Sequence, residues 1–217
     1  MWALVTIRKI VGIETERRSR LHDRRGNLAP LRELAEAPRL LLLRAIGKWP
    51  DTPWMARGAV DRLDELIDRR TRVLELGAGR STAWYAARAA SVVSLEPPGP
   101  WMTKLAHDLR GIDNVRLIEG PVGSSFGSLD LDSFDIAVVD HDDDESQFSR
   151  VDAVRALAPF CRTIVLDDSD RWAYRDADVA LASWQRSRYV SLRTFPFQMT
   201  ETTIYSSEYP GSAKVQG

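Results

Sequence analysis

Residues 73–82 read VLELGAGRST. An apolar run carrying one acid, Glu75, passes into a turn with Gly77 and Gly79, and a helical pattern begins near Ser81. Glycine gives the backbone access to positive φ and lets a ligand approach with no Cβ in the way. The free N–H groups at the start of a helix face the same crevice, and Ser81 is placed to cap them. Strand–turn–helix units of this kind hold nucleotide-like ligands in several folds, so the glycines alone leave the ligand open.

Outward from this turn, RVLEL (72–76), SVVSLE (91–96), VRLIE (115–119), FDIAVVD (134–140) and TIVLD (163–167) are apolar on consecutive positions. Strands covered on both faces read this way, which points to a parallel sheet. Helical stretches near 81–90, 101–110, 146–158 and 171–187 alternate with them. The alternation predicts a doubly wound α/β domain. RYVSLRTF (188–195) and TETTIYSS (200–207) are separated only by PFQM. So short a connection makes no parallel crossover, so the pair is expected to close a seven-stranded, mostly parallel sheet as an antiparallel hairpin. Upstream, 31–47 and 54–70 read as helices, the first ended by Gly47 and Pro50. The expected organisation is an N-terminal helical extension or cap over 1–50, a ligand-binding domain over 51–208 and a frayed tail over 209–217.

A formal net charge of -1 excludes bulk attraction to nucleic acid. The single cysteine, Cys161, excludes an intrachain disulfide framework and makes a reducing compartment the default. It reads as a small buried residue. MWALVTIRKIVGI leaves no room for a signal peptide's apolar region and cleavage site, and LLLL at 40–43 is far short of a membrane span. The expectation is a soluble, cytoplasmic protein. Residues 1–30 are locally basic through Arg8, Lys9, Arg17, Arg18, Arg20, Arg24 and Arg25, with no aromatic residue among them after Trp2. They read as a solvated lead-in or an oligomer contact, the natural place for a homodimer interface, rather than a nucleic-acid arm.

Three details narrow the ligand. Glu75 would repel a pyrophosphate but suits a ligand with a cationic amino-acid end. No third small glycine follows the turn, as a dinucleotide fingerprint wants. Glu96 ends the second strand about 20 residues on, where an acid accepts both hydroxyls of a ribose. Glu96 suits NAD equally well; Glu75 tips the balance away from it.

ELGAGRST, followed by SLEPP and FDIAVVD, resembles the class I S-adenosylmethionine-dependent methyltransferases over residues 54–207. The resemblance implies a turn of Glu75, Gly77, Ala78 and Gly79 around the amino-acid part of the cofactor, with Ser81 and Thr82 beside it. It places the ribose on Glu96, the adenine between Pro97 and Trp101, and the adenine edge near Glu119 and Gly120. Asp140 is a further neighbour of the cofactor.

Asp140 ends the fourth strand and runs into HDDDE (141–145), while the fifth ends in Asp167-Asp168. Ligands bind at the carboxyl ends of parallel strands, so Asp140, His141, Asp167 and Asp168 are expected over one crevice. Hard carboxylate oxygens are what Mg2+ or Ca2+ would want. The segment VVDHDDDESQFSRVDAVRALAPFCRTIVLDDSDR is similar to that of the cation-dependent small-molecule O-methyltransferases, which implies Asp140, Asp167 and Asp168 as metal ligands and O-methylation as the reaction. It departs from the pattern at His141, where a small residue is common, and at Phe160-Cys161, which replaces a Gly-Gly turn. On the other reading Asp143, Asp144 and Glu145 are a solvated loop and Asp167 and Asp168 cap the next helix.

An acceptor hydroxyl must lose its proton, to a metal-assisted step or to a base. His141 is the base candidate by its ordinary pKa, with Asp140 and Asp168 as the other catalytic candidates. Trp172 and Tyr174 are placed either to wall an acceptor pocket or to pack a helix. Arg150 and Arg171 pair with nearby acids or hold an anionic substrate group. Two rivals differ in class: an NAD-dependent oxidoreductase, and a binding or assembly protein that keeps the fold without turnover.

Overall fold

The computed structural model describes residues 17–48, 51–142 and 148–207. Helix α1 (Leu31–Ala45) and helix α2 (Arg57–Leu66) precede the sheet. Then follow β1 (Arg72–Leu76), α3 (Arg80–Ala86), β2 (Ser91–Glu96), α4 (Pro100–Asp108), β3 (Val115–Glu119), α5 (Val122–Phe126), β4 (Ile136–Val139), α6 (Arg150–Leu157) and β5 (Thr163–Asp167). Helix α7 (Arg175–Ala180), β6 (Gln185–Arg193) and β7 (Gln198–Ser206) complete the chain.

The seven strands form one sheet in the order β3-β2-β1-β4-β5-β7-β6. The first five are parallel, and β7 lies antiparallel between β5 and β6. The order reverses between β1 and β4, which opens a crevice at their carboxyl ends. Alternation along β1 divides the core. Leu74 and Leu76 join a cluster with Leu95, Val139, Val154 and Leu166 on one face. Val73 joins Leu63, Tyr85, Val138 and Ile204 on the other. Successive strand side chains point to opposite faces, so Glu75 falls on the Val73 side, under α3.

The local signals work as sequence chemistry demands, with exceptions. Gly47, at φ 66, follows the end of α1. Ser149 caps α6 by accepting from the N–H of Asp152 at 3.1 Å, and Asp152 accepts from the N–H of Ser149 at 3.2 Å. Helix α3 starts at Arg80 with Gly79 as its N-cap, so Ser81 is not the cap the sequence suggested. The helix expected over 171–187 is a correction. A 3-10 turn at Trp172–Tyr174 leads into α7, and the chain is extended from Gln185 because residues 185–187 pair with 204–206 of β7. Helix α5 went unseen in the sequence, being only one turn long.

The described part of the basic lead-in is not solvated throughout. Arg24 Nη1 meets Asp170 Oδ1 at 2.6 Å with both side chains buried. Arg25 Nη2 donates to Glu201 Oε1 at 2.8 Å, and the N–H of Met199 donates to the carbonyl of Arg20 at 2.9 Å. Helix α1 packs on the hairpin through Leu40, with Ala29 just before the helix, against Leu192, Phe197 and Met199. Its buried Glu33 accepts from Arg57 at 2.8 Å and from the N–H of Leu192 at 3.0 Å. Charge balance alone did not show that these arginines have acids waiting on β7 and after β5. Trp2, Arg8, Lys9, Asp143, Asp144, Glu145 and the tail from 209 lie outside the described residues. Among the described residues no helix is long and apolar enough to cross a membrane.

Candidate functional site

The β1 turn is held from below. Glu75 faces Ser94 in the β1–β2 register, and its Oε2 accepts from Ser94 Oγ and Thr82 Oγ1, each at 2.6 Å. Ser81 Oγ donates to Oε1 of the same carboxylate. Burial raises the Glu75 carboxyl to about 7, against these three hydroxyl donors, which favour the charged form. Glu75 is therefore the clamp beneath the turn, and Ser81 and Thr82 are tied to it. The N–H groups of Gly77 and Ala78 donate to the carbonyl of Leu95 at 2.9 and 3.1 Å.

The two glycines serve different ends. Gly77 has φ 95, and a Cβ there would stand 2.7 Å from the backbone of Asp140 and His141. It lets the β1 turn and the end of β4 touch. Gly79 is extended, and a Cβ on it would meet only Ser81 Oγ at 3.5 Å. Its bareness leaves room beside the cavity.

A cavity of about 500 Å3 opens over the crevice. Gly77, Ala78, Gly79 and Ser81 line it from the turn, Glu96, Pro97 and Trp101 from the end of β2 and the start of α4, and Asp140, His141, Arg150, Asp168, Arg171, Arg193 and Trp54 at what we call the far end. Its volume lies in the range of small-ligand and cofactor sites. Trp101 stands half-open at its edge and donates from Nε1 to the carbonyl of Ala78 at 3.0 Å. Burial pushes the Glu96 carboxyl up to about 7, with Asp142 and Asp140 adding repulsion and the N–H of Ala78 opposing it. Glu119 is exposed and, with Gly120, lies outside this lining. The N–H of Gly120 donates to the carbonyl of Glu96, and its missing Cβ makes way for Ser125.

At the far end the acids are met by arginines. Arg150 is buried and joins two strand ends, donating from Nε to the carbonyl of His141 at 2.6 Å and from Nη1 to that of Asp167 at 2.9 Å. Its Nη1 is also 3.1 Å from Asp140 Oδ1. Burial raises the Asp140 carboxyl and Arg150 opposes the shift. Asp167 Oδ1 accepts from Thr202 Oγ1 at 2.5 Å, and Oδ2 lies 3.7 Å from Arg193 Nη1. Burial with Asp140 and Asp168 nearby pushes the Asp167 carboxyl up to about 8. Asp168 Oδ2 accepts from Arg171 at 2.7 Å, while Arg24 and Arg193 lie 3.6 and 3.9 Å from Oδ1. Despite its burial, Arg193, Arg171 and Arg24 hold the Asp168 carboxyl well below the usual range. Asp168 is also the one non-glycine residue at positive φ among the described residues, at 52. Uncommon backbone of this kind persists where surrounding contacts over-determine it.

Among the described residues the expected divalent-cation site is not assembled. Asp140, Asp167 and Asp168 sit at neighbouring strand ends, but no group of three acid, histidine or cysteine side chains among the described residues is arranged to hold a metal. A Mg2+ or Ca2+ ion needs several oxygens facing a common point. Here guanidinium groups face those oxygens. The sequence located the acids and offered Arg150 and Arg171 as partners; it could not show that Arg193 on β6 and Arg24 in the lead-in would reach them.

His141 is buried, with Nε2 3.3 Å from the carbonyl of Phe148 and its ring stacked on Phe148. Tyr174 is core, beneath Arg150 and Arg171, and Trp172 is 71% exposed with Arg175 stacked on it. Neither lines the cavity. Burial lifts the Cys161 thiol to about 12, in keeping with a packing residue. Trp54 and Arg193 escaped the sequence reading, since neither lies near a motif.

The order of strands, the antiparallel β7 and the site at the switch point define the Rossmann-like fold of the class I methyltransferases. Solved structures share it. The chain resembles an O-methyltransferase from Bacillus cereus in complex with SAH, with TM-score 0.55 and 15% identity over 80% of this chain and 91% of that one. An rRNA methylase from Streptococcus thermophilus superposes with TM-score 0.53 and 16% identity over 68% of this chain and 93% of that one. A dimethyladenosine transferase from Plasmodium falciparum gives TM-score 0.51 and 14% identity over 71% and 63%. No protein-family model and no curated protein matches the chain. At these identities the likeness is one of fold.

Proposed function

We propose that the chain is an S-adenosylmethionine-dependent methyltransferase acting on a hydroxyl oxygen of a small molecule. The observation that carries this reading is the clamped glycine turn opening onto the same cavity as Glu96, Trp101 and Asp140. The backbone from Gly77 to Gly79 takes the amino-acid end of the cofactor, Glu96 its ribose hydroxyls, and Pro97 and Trp101 its adenine. When bound, the cofactor supplies an electrophilic sulfonium methyl.

The protein's own task is then alignment and removal of one proton. Asp140 lines the far end of the cavity with its side chain about one-third exposed, and it takes the proton from the acceptor hydroxyl. Arg150 fixes its position. His141, turned toward Phe148, is a positioning residue in this scheme. Asp168, with Arg171 and Arg193, forms the acceptor wall beside Trp54.

A small acceptor is favoured over RNA by charge. The cavity is lined by Arg80, Arg150, Arg171 and Arg193 against Glu96, Asp140, Asp142 and Asp168, so it carries no basic excess for a phosphate backbone. The decisive test is calorimetric titration with S-adenosylhomocysteine and NAD, followed by methyl-labelled S-adenosylmethionine with phenols, alcohols and RNA. Labelled phenol or alcohol is the expected product. Stabilisation by NAD alone would sink the reading, and labelled RNA would move the acceptor class. Cofactor binding without transfer to any acceptor would favour the non-enzymatic rival.

A further inference from the structure

The carboxylates at the ends of β4 and β5 each meet a guanidinium where a divalent ion would need an open face. We propose that this site runs on a built-in organic cation instead of a metal, and that Arg193 supplies it. Its place as an acceptor wall rests on the methyltransferase reading; the ion-pair geometry does not.

Arg193 is the last residue of β6, two strands from the acids it serves. Its Nη1 reaches Asp167 Oδ2 at 3.7 Å and Asp168 Oδ1 at 3.9 Å, and it donates to the carbonyl of Trp54 at 3.2 Å. One nitrogen thereby links the hairpin, the end of β5 and the segment before α2. Without it, Asp167 would rely on Thr202 Oγ1, and Asp168 on Arg171 and Arg24. Arg193 also lines the cavity, so its charge stands beside the acceptor region. A guanidinium keeps its proton at any working pH and presents donors in a fixed plane. It therefore gives the site permanent positive charge without a coordination position to fill. Arg171 and Arg24 close the remaining faces of Asp168, and Arg150 that of Asp140.

The test is titration of Mn2+ into the full chain, read by the electron paramagnetic signal of the free ion and by the melting temperature. The wild type is expected to leave Mn2+ free at millimolar concentration. Arg193→Gln, which strips the shared cation from Asp167 and Asp168, is expected to bind it roughly tenfold more tightly or better. Arg193→Lys, which restores the charge, is expected to behave as wild type. Should Arg193→Gln not fold, Arg171→Gln takes its place, because it frees the outer oxygen of Asp168. One Mn2+ bound per wild-type chain at micromolar concentration would overturn the proposal, and so would equal Mn2+ binding by wild type and the glutamine variant. S-adenosylhomocysteine is added in a parallel series. A chain indifferent to it fails the cofactor reading, while the Mn2+ result still decides this one.

Discussion

The indole Nε1 of Trp101 donates to the carbonyl oxygen of Ala78 at 3.0 Å, tying the start of α4 to the glycine turn after β1. The bond holds an aromatic face at the edge of the cavity instead of letting it swing into solvent. Trp101→Phe keeps a ring but loses the bond, worth about 1 kcal/mol. Because the bond is made in the unliganded chain, the expected result is a melting temperature lowered by about 2–4 °C and S-adenosylhomocysteine affinity weakened by no more than about fivefold. Trp101→Ala, which removes the wall, should weaken it further. Calorimetry on both variants checks the order.

Gly77 and Gly79 should fail in different ways when given a Cβ. Gly77→Ala forces a side chain to φ 95 and within 2.7 Å of the Asp140 backbone. Strain of this kind costs on the order of 1–3 kcal/mol before the clash is counted, so the melting temperature should fall clearly. Gly79→Ala meets no such obstacle and should melt near wild type while binding S-adenosylhomocysteine less well. Equal melting temperatures for the two variants would refute this division of labour.

Glu75 makes stability depend on pH. Its carboxyl is raised to about 7 in the folded chain from an ordinary 4.5. Between these values the unfolded chain has lost the proton and the folded chain keeps it, so raising the pH favours unfolding. The penalty grows from pH near 4.5, levels off above about 7, and amounts to roughly 3 kcal/mol. Glu75→Gln keeps one acceptor oxygen, gives up the other at a cost that does not vary with pH, and cannot ionise. Its stability relative to wild type should therefore improve as pH rises through this window, as read by urea unfolding at several pH values. Glu75→Ala leaves three hydroxyls without their acceptor and should be destabilised throughout.

Glu96 sets a second pH dependence, this time in binding. Its carboxyl titrates near 7, and only the charged form accepts from both hydroxyls of a ribose. S-adenosylhomocysteine affinity should rise as pH increases through about 7 and then reach a plateau. Glu96→Gln should flatten the profile and weaken binding on the order of tenfold above that pH. A wild-type affinity that falls with rising pH would count against Glu96 as the ribose acceptor.

The sheet was legible because its signals are local. β4 and β5 are buried along their whole length, and consecutive apolar residues announce that condition directly. The four-residue connection between the last two strands sufficed to make them antiparallel. The position of β7 inside the sheet was harder to see, since Thr200, Glu201, Thr202 and Thr203 look like surface residues and are all buried. Their polarity is matched by partners from elsewhere: Thr202 bonds Asp167, Glu201 bonds Arg25 and Ser169, and Thr200 bonds Asp168.

VLELGAGRST by itself determined the strand and the turn, because strand period and glycine geometry act over a few residues; it aimed Glu75 at the cationic end of a ligand, whereas the structure buries Glu75 beneath the turn on Ser81, Thr82 and Ser94, outside the cavity lining. Glu96, Pro97 and Trp101 followed for the same reason, being the next strand end of the same unit. What only the tertiary structure decided is the charge state of the far end. Asp140, Asp167 and Asp168 read as a metal cluster, while Arg150 and Arg171 read either as partners of nearby acids or as holders of an anionic substrate group; the structure pairs them with Asp140 and Asp168. Arg24 and Arg193 come from a lead-in turn and the closing hairpin, and packing alone brings them to the acids. Electrostatics depends on distance in space, and sequence separation carries almost none of that information.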